Sequence, residues 1–307
     1  MTAAATHTAQ DPKKRLRRTM LFLSAQRPSL MKDAYVYRSD SVIFDLEDAV
    51  AENQKDAARF SLYHNLREVD YGGVERIVRI NGLDTPHWRE DVRVCVAGGA
   101  DGIRIAKCES AADVTAVAAA VDAAEREFGV PEGRTLLMAA IEGPRGVLNA
   151  PEICEASPRL FGVAISGGDF RVAMQTKYYP GGAEMLAARG NVLLAARAAG
   201  VQCFDTVFTD LDDLEGFRAE VEMNKQMGFD GKSVVSPRQI AVVHEIFTPD
   251  PRAVREAEKV VRAIRENAEK GVGIFQVDGK MLDIAFLAGA ERTLALAKAS
   301  GAYEGDL

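Results

Sequence analysis

VIFDLED (residues 42–48), IVRING (77–82), IRIAK (103–107), LLMAAIE (136–142) and FGVAISGGD (161–169) are short apolar runs that carry charge at or near their C-terminal ends. The charges belong to Glu47 and Asp48, Arg79, Lys107, Glu142 and Asp169. Continuous rather than alternating apolarity suits strands buried on both faces, as in a parallel sheet. RTMLFLSA (18–25) before them, and CFDTVF (203–208) and GKSVV (231–235) after them, complete a set of eight. If these strands are parallel and close into a barrel, their terminal charges meet at one mouth, where barrel enzymes carry out chemistry.

The intervening segments read as helices over about 28–38, 52–68, 88–97, 110–127, 145–156, 182–199, 212–227 and 237–246. Gly98, Gly129, Gly200 and Gly228 sit shortly before the next strand, where the left-handed residue that ends a helix belongs. A strand–helix repeat of about 30 residues, met eight times, predicts an α/β fold of the (β/α)8 TIM-barrel type rather than an open doubly wound sheet. No Gly-x-Gly-x-x-Gly follows the first strand, which removes the main cue for a dinucleotide fold. The expected organisation is a disordered tail over 1–16, a barrel over 17–248, and a C-terminal extension over 249–307 that packs on the barrel or on a neighbouring subunit. Within the extension, 250–270 and 288–299 read as helices and 271–285 as strand or loop.

A formal net charge of −7 argues against a nucleic-acid footprint, and the basic run Lys13, Lys14, Arg15, Arg17, Arg18 reads as a solvated lead-in. Cys95, Cys108, Cys154 and Cys203 are scattered with no CxxC, so neither a zinc site nor a disulfide framework is expected, and Cys108 reads as a buried inert thiol. The N-terminus lacks a secretory h-region and no run reaches membrane-span length. The expectation is a soluble, cytoplasmic enzyme.

Glu142 and Asp169 lie 27 positions apart, close to one strand–helix unit, so they emerge from adjacent strand ends. Two carboxylates there suit a hard divalent cation that keeps its waters, such as Mg2+. The other reading is two solvated carboxylates, or ion pairs with Arg145 and Arg171. Arg79, a guanidinium inside an apolar strand, needs a partner. That partner is either a substrate carboxylate or a structural mate, Glu47 or Asp48. Glu47 and Asp48 otherwise read as residues that hold Arg79 or metal waters. Lys107 could bind an anion, whereas its charged neighbours argue against a Schiff base. The glycine-rich turns at 166–169 and 180–182 are placed at the same mouth. His7, His64, His87 and His244 fall at no strand end, which argues against a serine–histidine mechanism.

RRTMLFLSA (17–25), SVIFDLEDAV (41–50), IVRINGLD (77–84), GADGIRIAK (99–107), AAIEGPRGVLN (139–149), CFDTVFTD (203–210), GFDGKSVVSPRQI (228–240) and VDGKMLD (277–283) resemble, in order and spacing, the citrate lyase β-subunits and related acyl-thioester lyases of the HpcH/HpaI aldolases. The resemblance implies a Mg2+-dependent carbon–carbon lyase, trimeric or a multiple of three. It implies Glu142 and Asp169 as metal ligands, Arg79 as the arginine for the substrate carboxylate, and Glu47 and Asp48 as acids near the metal waters. It further implies Asp283 as a catalytic acid reaching into a neighbouring subunit's site. The catalytic set is then Asp283, Arg79 and Glu142, with Arg79 and Glu142 also binding substrate.

The chain departs from the family where SGGD replaces GAED, IAK replaces LPK, and Ile284, Ala285 and Phe286 follow Asp283 without the usual proline. The implied reaction is retro-Claisen cleavage of a citryl thioester, on an acyl-carrier protein or CoA, to an acetyl thioester and oxaloacetate. The implied partners are a homotrimer or hexamer and citrate lyase α and γ subunits. The alternatives are a malyl-CoA or citramalyl-CoA lyase, a related acyl-CoA thioesterase and, in another class, a non-catalytic subunit that binds a carrier protein.

Overall fold

A computed structural model describes residues 11–307. Eight strands form a closed barrel: β1 (Thr19–Ser24), β2 (Ser41–Asp45), β3 (Glu75–Ile80), β4 (Gly102–Ile105), β5 (Leu136–Ile141), β6 (Leu160–Ile165), β7 (Gln202–Asp205) and β8 (Gly231–Val234). Each pairs in parallel with its sequence neighbour, and β8 pairs with β1. The (β/α)8 expectation is met, with every strand within two residues of its predicted start.

Closure depends on Gly231. A Cβ there would lie 2.0 Å from the Arg17 carbonyl oxygen, so only glycine lets β8 approach the entry to β1.

Helices follow the strands at Lys55–Glu68, Trp88–Gly98, Ala111–Phe128, Ala183–Ala199, Leu214–Met227 and Pro237–Phe247. A capping box of Ser110 and Asp113 starts the helix over 111–128. Three details differ from expectation. The segment over 28–38 is α-helical only at Pro28–Lys32, then 3-10 at Ala34–Tyr37, where aromatic and β-branched side chains favour the α-helix least. The helix over 145–156 is two pieces, Pro144–Leu148 and Ala150–Glu155, because Pro151 has no N–H to continue the ladder. Gly99 (φ 83°), not Gly98, is the left-handed terminator of Trp88–Gly98; Gly98 instead makes room for Leu66, whose Cδ1 would lie 2.9 Å from an added Cβ.

Alternate side chains of each strand enter the barrel. Met20, Ile43, Ile77, Met138, Ala164 and Phe204 pack there as an apolar plug. Two residues further along the same strands stand Phe22, Asp45, Arg79, Ala140, Ser166 and Thr206, and Arg104 occupies the matching place two residues after Gly102. The interior therefore changes from apolar to charged within one step towards the C-terminal mouth.

At the opposite end, Arg17 is buried, forks onto Glu75 at 2.7 and 2.6 Å, bonds Gln202 at 2.6 Å and covers the Phe161 ring. Arg18 pairs with Asp40 at 2.8 Å. The basic run is thus not wholly a solvated lead-in, because two of its arginines lock the start of β1. The expectation of disorder over 1–16 lies outside the described residues for 1–10, as does His7; Pro12–Lys14 form a 3-10 turn whose carbonyls receive the Arg17 guanidinium.

The chain divides into two compact units, residues 1–243 and 244–307, within helix Pro237–Phe247. In the second unit, helix Pro251–Glu269 and helix Ala285–Ala299 share a small core of Val254, Ala257, Val261, Ala290, Leu294 and Ala297. Between them β9 (Phe275–Val277) and β10 (Lys280–Leu282) form an antiparallel hairpin turned by Asp278 and Gly279. Among the described residues, no helix is long and apolar enough to cross a membrane.

Candidate active site

Asp45, Arg79 and Arg104 are successive register partners on β2, β3 and β4, so their side chains enter the mouth side by side. Asp45 accepts from Arg79 Nε at 2.8 Å and Nη2 at 2.6 Å. Its other bonds come from the backbone N–H groups of Glu47 and Ala49, so one carboxylate shapes the loop after β2 and holds the arginine. Glu47 is buried and bridges Arg79 Nη1 at 2.9 Å to Lys107 Nζ at 2.6 Å. Asp48 is exposed and stands 3.7 Å from both cations. Burial alone would lower the Arg79 pKa, but Asp45, Glu47 and Glu142 raise it, so the guanidinium stays charged.

The structural mate of Arg79 is therefore chiefly Asp45, with Glu47 second. Sequence reasoning passed over Asp45 because it read charges beyond the strand end. The signal lay in the two-residue alternation, which points Asp45 the same way as Ile43.

Arg104 was also missed, since IRIAK was read for its terminal lysine. Its side chain is 1% exposed, and Nη2 donates to Ser166 Oγ at 2.8 Å. Nε and Nη1 have no hydrogen-bond partner. Arg79 and Arg104 both lie over the Phe22 ring, at 5.3 and 5.2 Å from its centre. Burial pushes the Arg104 pKa down to about 10 against the favourable charge of Glu142.

Glu142 follows β5 and is 5% exposed, with Oε1 lacking any hydrogen-bond partner. Burial pushes its carboxyl up to about 7, although Arg104 and Arg79 pull the other way. Asp169 sits in the first turn of helix Gly167–Ala173, half exposed, 3.7 Å from Lys107. The ion pairs weighed for these two carboxylates do not form: Arg145 reaches Glu109 at 3.5 Å and Arg171 reaches Glu184 at 2.8 Å.

Lys107 has its pKa raised, chiefly by the hydrogen bond to Glu47, which is the wrong direction for a Schiff-base nucleophile. Its backbone is left-handed, φ 50°, two residues after β4. Cys108 is buried and its thiol is pushed up to about 12 by burial, as an inert thiol requires.

Phe22, Asp45, Asp48, Arg79, Arg104, Glu142 and Asp169 line one cavity of about 280 Å3, whose wall also includes Ser166, Gly167 and Gly168. The glycine-rich turn over 166–169 thus reaches the site, whereas the turn over 180–182 is not part of this wall and leads into helix Ala183–Ala199. Asp283 lies in the second unit between β10 and the final helix, where Oδ1 accepts from Ala285 N at 2.8 Å. The final helix starts at Ala285, earlier than the expected 288.

The donor set fits a hard cation. Glu142 offers a buried oxygen with no partner, and Asp169 a carboxylate on the same cavity. Among the described residues no group of three or more His, Cys, Asp or Glu converges as a complete cage. Two carboxylates with room for water and substrate oxygens suit Mg2+ better than Zn2+.

A parallel barrel with a charged C-terminal mouth defines a class, the TIM-barrel enzymes. Residues 18–237 match the HpcH/HpaI aldolase/citrate lyase family, and residues 183–302 match a carbon–carbon bond lyase family of the TIM-barrel fold. The chain belongs to the HpcH/HpaI aldolase/citrate lyase family of carbon–carbon lyases. It is 46% identical over 286 residues to the citrate lyase subunit beta of Leuconostoc mesenteroides subsp. cremoris, covering 93% of this chain and 95% of that one. It is 38% identical to a (3S)-malyl-CoA thioesterase of Cereibacter sphaeroides, covering 93% and 96%. Among solved structures, protein CitE from Mycobacterium tuberculosis, in complex with magnesium, acetoacetate and coenzyme A, superposes with a TM-score of 0.75 at 30% identity, covering 93% and 99%.

Proposed function

We propose that this protein is a Mg2+-dependent lyase that cleaves a citryl thioester to an acetyl thioester and oxaloacetate. The observation that carries the reading is the partnerless buried oxygen of Glu142, a residue that lines the same cavity as Asp169, Arg79 and Arg104. Glu142 and Asp169 would hold the metal. When bound, Mg2+ supplies Lewis-acid chemistry that lowers the pKa of the substrate hydroxyl and offsets the charge that develops on its oxygen. Arg79, locked by Asp45, orients the carboxylate next to that hydroxyl.

The hydroxyl gives its proton to water in the open cavity, its carbon becomes the ketone of oxaloacetate, and the C–C electron pair passes to the thioester α-carbon as an enolate. The enolate takes one proton and leaves as the acetyl thioester, so no oxidant or further reactant is needed. Asp283 of a neighbouring subunit, in a trimer or hexamer, is the proposed proton donor. The thioester carrier is CoA or an acyl-carrier protein, and the latter would come with citrate lyase α and γ subunits.

The Cereibacter relative favours a second reading, malyl-thioester hydrolysis. Purified protein incubated with citryl-, malyl- and citramalyl-CoA, with and without Mg2+, separates the two. Oxaloacetate and acetyl-CoA from citryl-CoA support the lyase; free CoA from malyl-CoA supports the thioesterase; no turnover of any of the three, with carrier-protein binding retained, points to a non-catalytic subunit.

A further inference from the structure

We propose that Arg104 determines the acyl group: its guanidinium receives a second substrate carboxylate, which selects a citryl thioester over malyl and citramalyl thioesters. The inference rests on the lyase reading and adds to it the choice of substrate.

Arg104 stands beside Arg79 in register on the neighbouring strand, yet the two are differently provided for. Arg79 is tied to Asp45 and Glu47. Arg104 has one bond, to the neutral Ser166 hydroxyl, while Nε and Nη1 are buried and unmet on the wall of the cavity. No carboxylate among the described residues forms an ion pair with it, and the free oxygen of Glu142 is likewise unmet. A buried guanidinium without a hydrogen-bonded carboxylate partner is expensive to keep. Nε–H and Nη1 lie on opposite edges of the guanidinium, so an entering carboxylate would accept from Nη1, where the charges match.

Substrate chemistry states which carboxylate. The hydroxyl-bearing carbon of a citryl thioester carries one carboxylate directly and a second on a CH2 arm. A malyl thioester has hydrogen in place of that arm, and a citramalyl thioester has methyl. One arginine suffices for the latter two, and a second is wanted only for citryl. The same division holds for the oxo-acid products, since oxaloacetate has two carboxylates and pyruvate one.

The test is calorimetric binding of fresh oxaloacetate and of pyruvate, each with Mg2+, to the wild type, Arg104→Met and Arg104→Lys. The wild type should prefer oxaloacetate, and Arg104→Met should lower the oxaloacetate-to-pyruvate affinity ratio by roughly 30-fold or more. Arg104→Lys, which keeps the charge but not the planar guanidinium, should give a ratio between the two, and it serves if the methionine variant does not fold. An unchanged ratio in both variants overturns the assignment while leaving the lyase reading in place. A wild type that binds neither oxo acid overturns both.

Discussion

Arg79 and Arg104 are register partners on adjacent barrel strands, and Asp45 neutralises only the first of them. The pairing is positional: Asp45 is the register partner of Arg79 on the other side, so the carboxylate reaches the nearer guanidinium and is used up there. The mouth is left with one arginine that is held and one that is open. At the end of the next strand, β5, Glu142 keeps a carboxylate oxygen unmet as well. Open charges of both signs in one cavity are costly to a fold and useful to a ligand carrying a metal ion and carboxylates.

Glu142→Gln or Asp169→Asn should reduce Mg2+-dependent cleavage of the thioester by more than about 100-fold. The melting temperature without metal should not fall for Glu142→Gln, since a neutral amide replaces a buried carboxylate with one oxygen unmet. Mg2+ should raise the melting temperature of the wild type and of neither variant. Near-normal turnover in either variant would remove that residue from the metal site.

Asp45→Ala leaves Arg79 buried with Glu47 as its main partner, and breaks the loop bonds to Glu47 and Ala49. Urea unfolding should show a loss of about 3–5 kcal/mol, the usual result of stripping one partner from a buried pair. kcat/KM should fall by roughly 100-fold, because the guanidinium proposed to bind the substrate is no longer fixed. A stability equal to wild type would show that Glu47 alone can hold Arg79.

Acid stability should depend on a buried cluster between barrel wall and helices. Lys232 bonds Asp205 at 3.1 Å and Glu220 at 2.6 Å, and Arg189 forks onto Asp205 at 2.8 and 2.9 Å. Burial alone would raise the Asp205 carboxyl, but Lys232 and Arg189 override it and hold it down at about 2. Its contribution is therefore present above the ordinary value of 3.8 and is lost as pH falls through about 2. Lys232→Met removes one of the two cations, so the acid unfolding midpoint should move to higher pH. At neutral pH the same variant should be about 3–5 kcal/mol less stable in urea.

Asp283→Asn should lower kcat more than it changes KM, if the side chain supplies a proton rather than binding energy. Mixing this variant with Glu142→Gln, followed by subunit exchange, should restore part of the activity, since a mixed site can combine an intact Glu142 with a neighbour's intact Asp283. Failure of mixed assemblies to recover activity would place Asp283 and Glu142 in the same subunit's site or remove Asp283 from the reaction.

Much of the molecule was legible along the chain because its signals are local. Continuous apolar runs such as LLMAAI, helix-ending glycines and the even strand–helix repeat led to eight parallel strands and one charged mouth, and the ordered motifs from FDLED to GKMLD led to the family. The places where local reading slipped have local causes too: Pro151 divides a helix, and Gly99 rather than Gly98 takes the left-handed turn.

Pairing across strands was not legible, because it depends on register and on which residues face inward. That is why Asp45 and Arg104, both inside quoted motifs, carried no signal until three strands stood side by side. The sequence alone determined the barrel, its family and the carboxylates Glu142 and Asp169 as candidates. Only the tertiary structure decided which charges cancel and which stay open, since a salt bridge is chosen by distances of a few ångströms between residues that the chain keeps far apart.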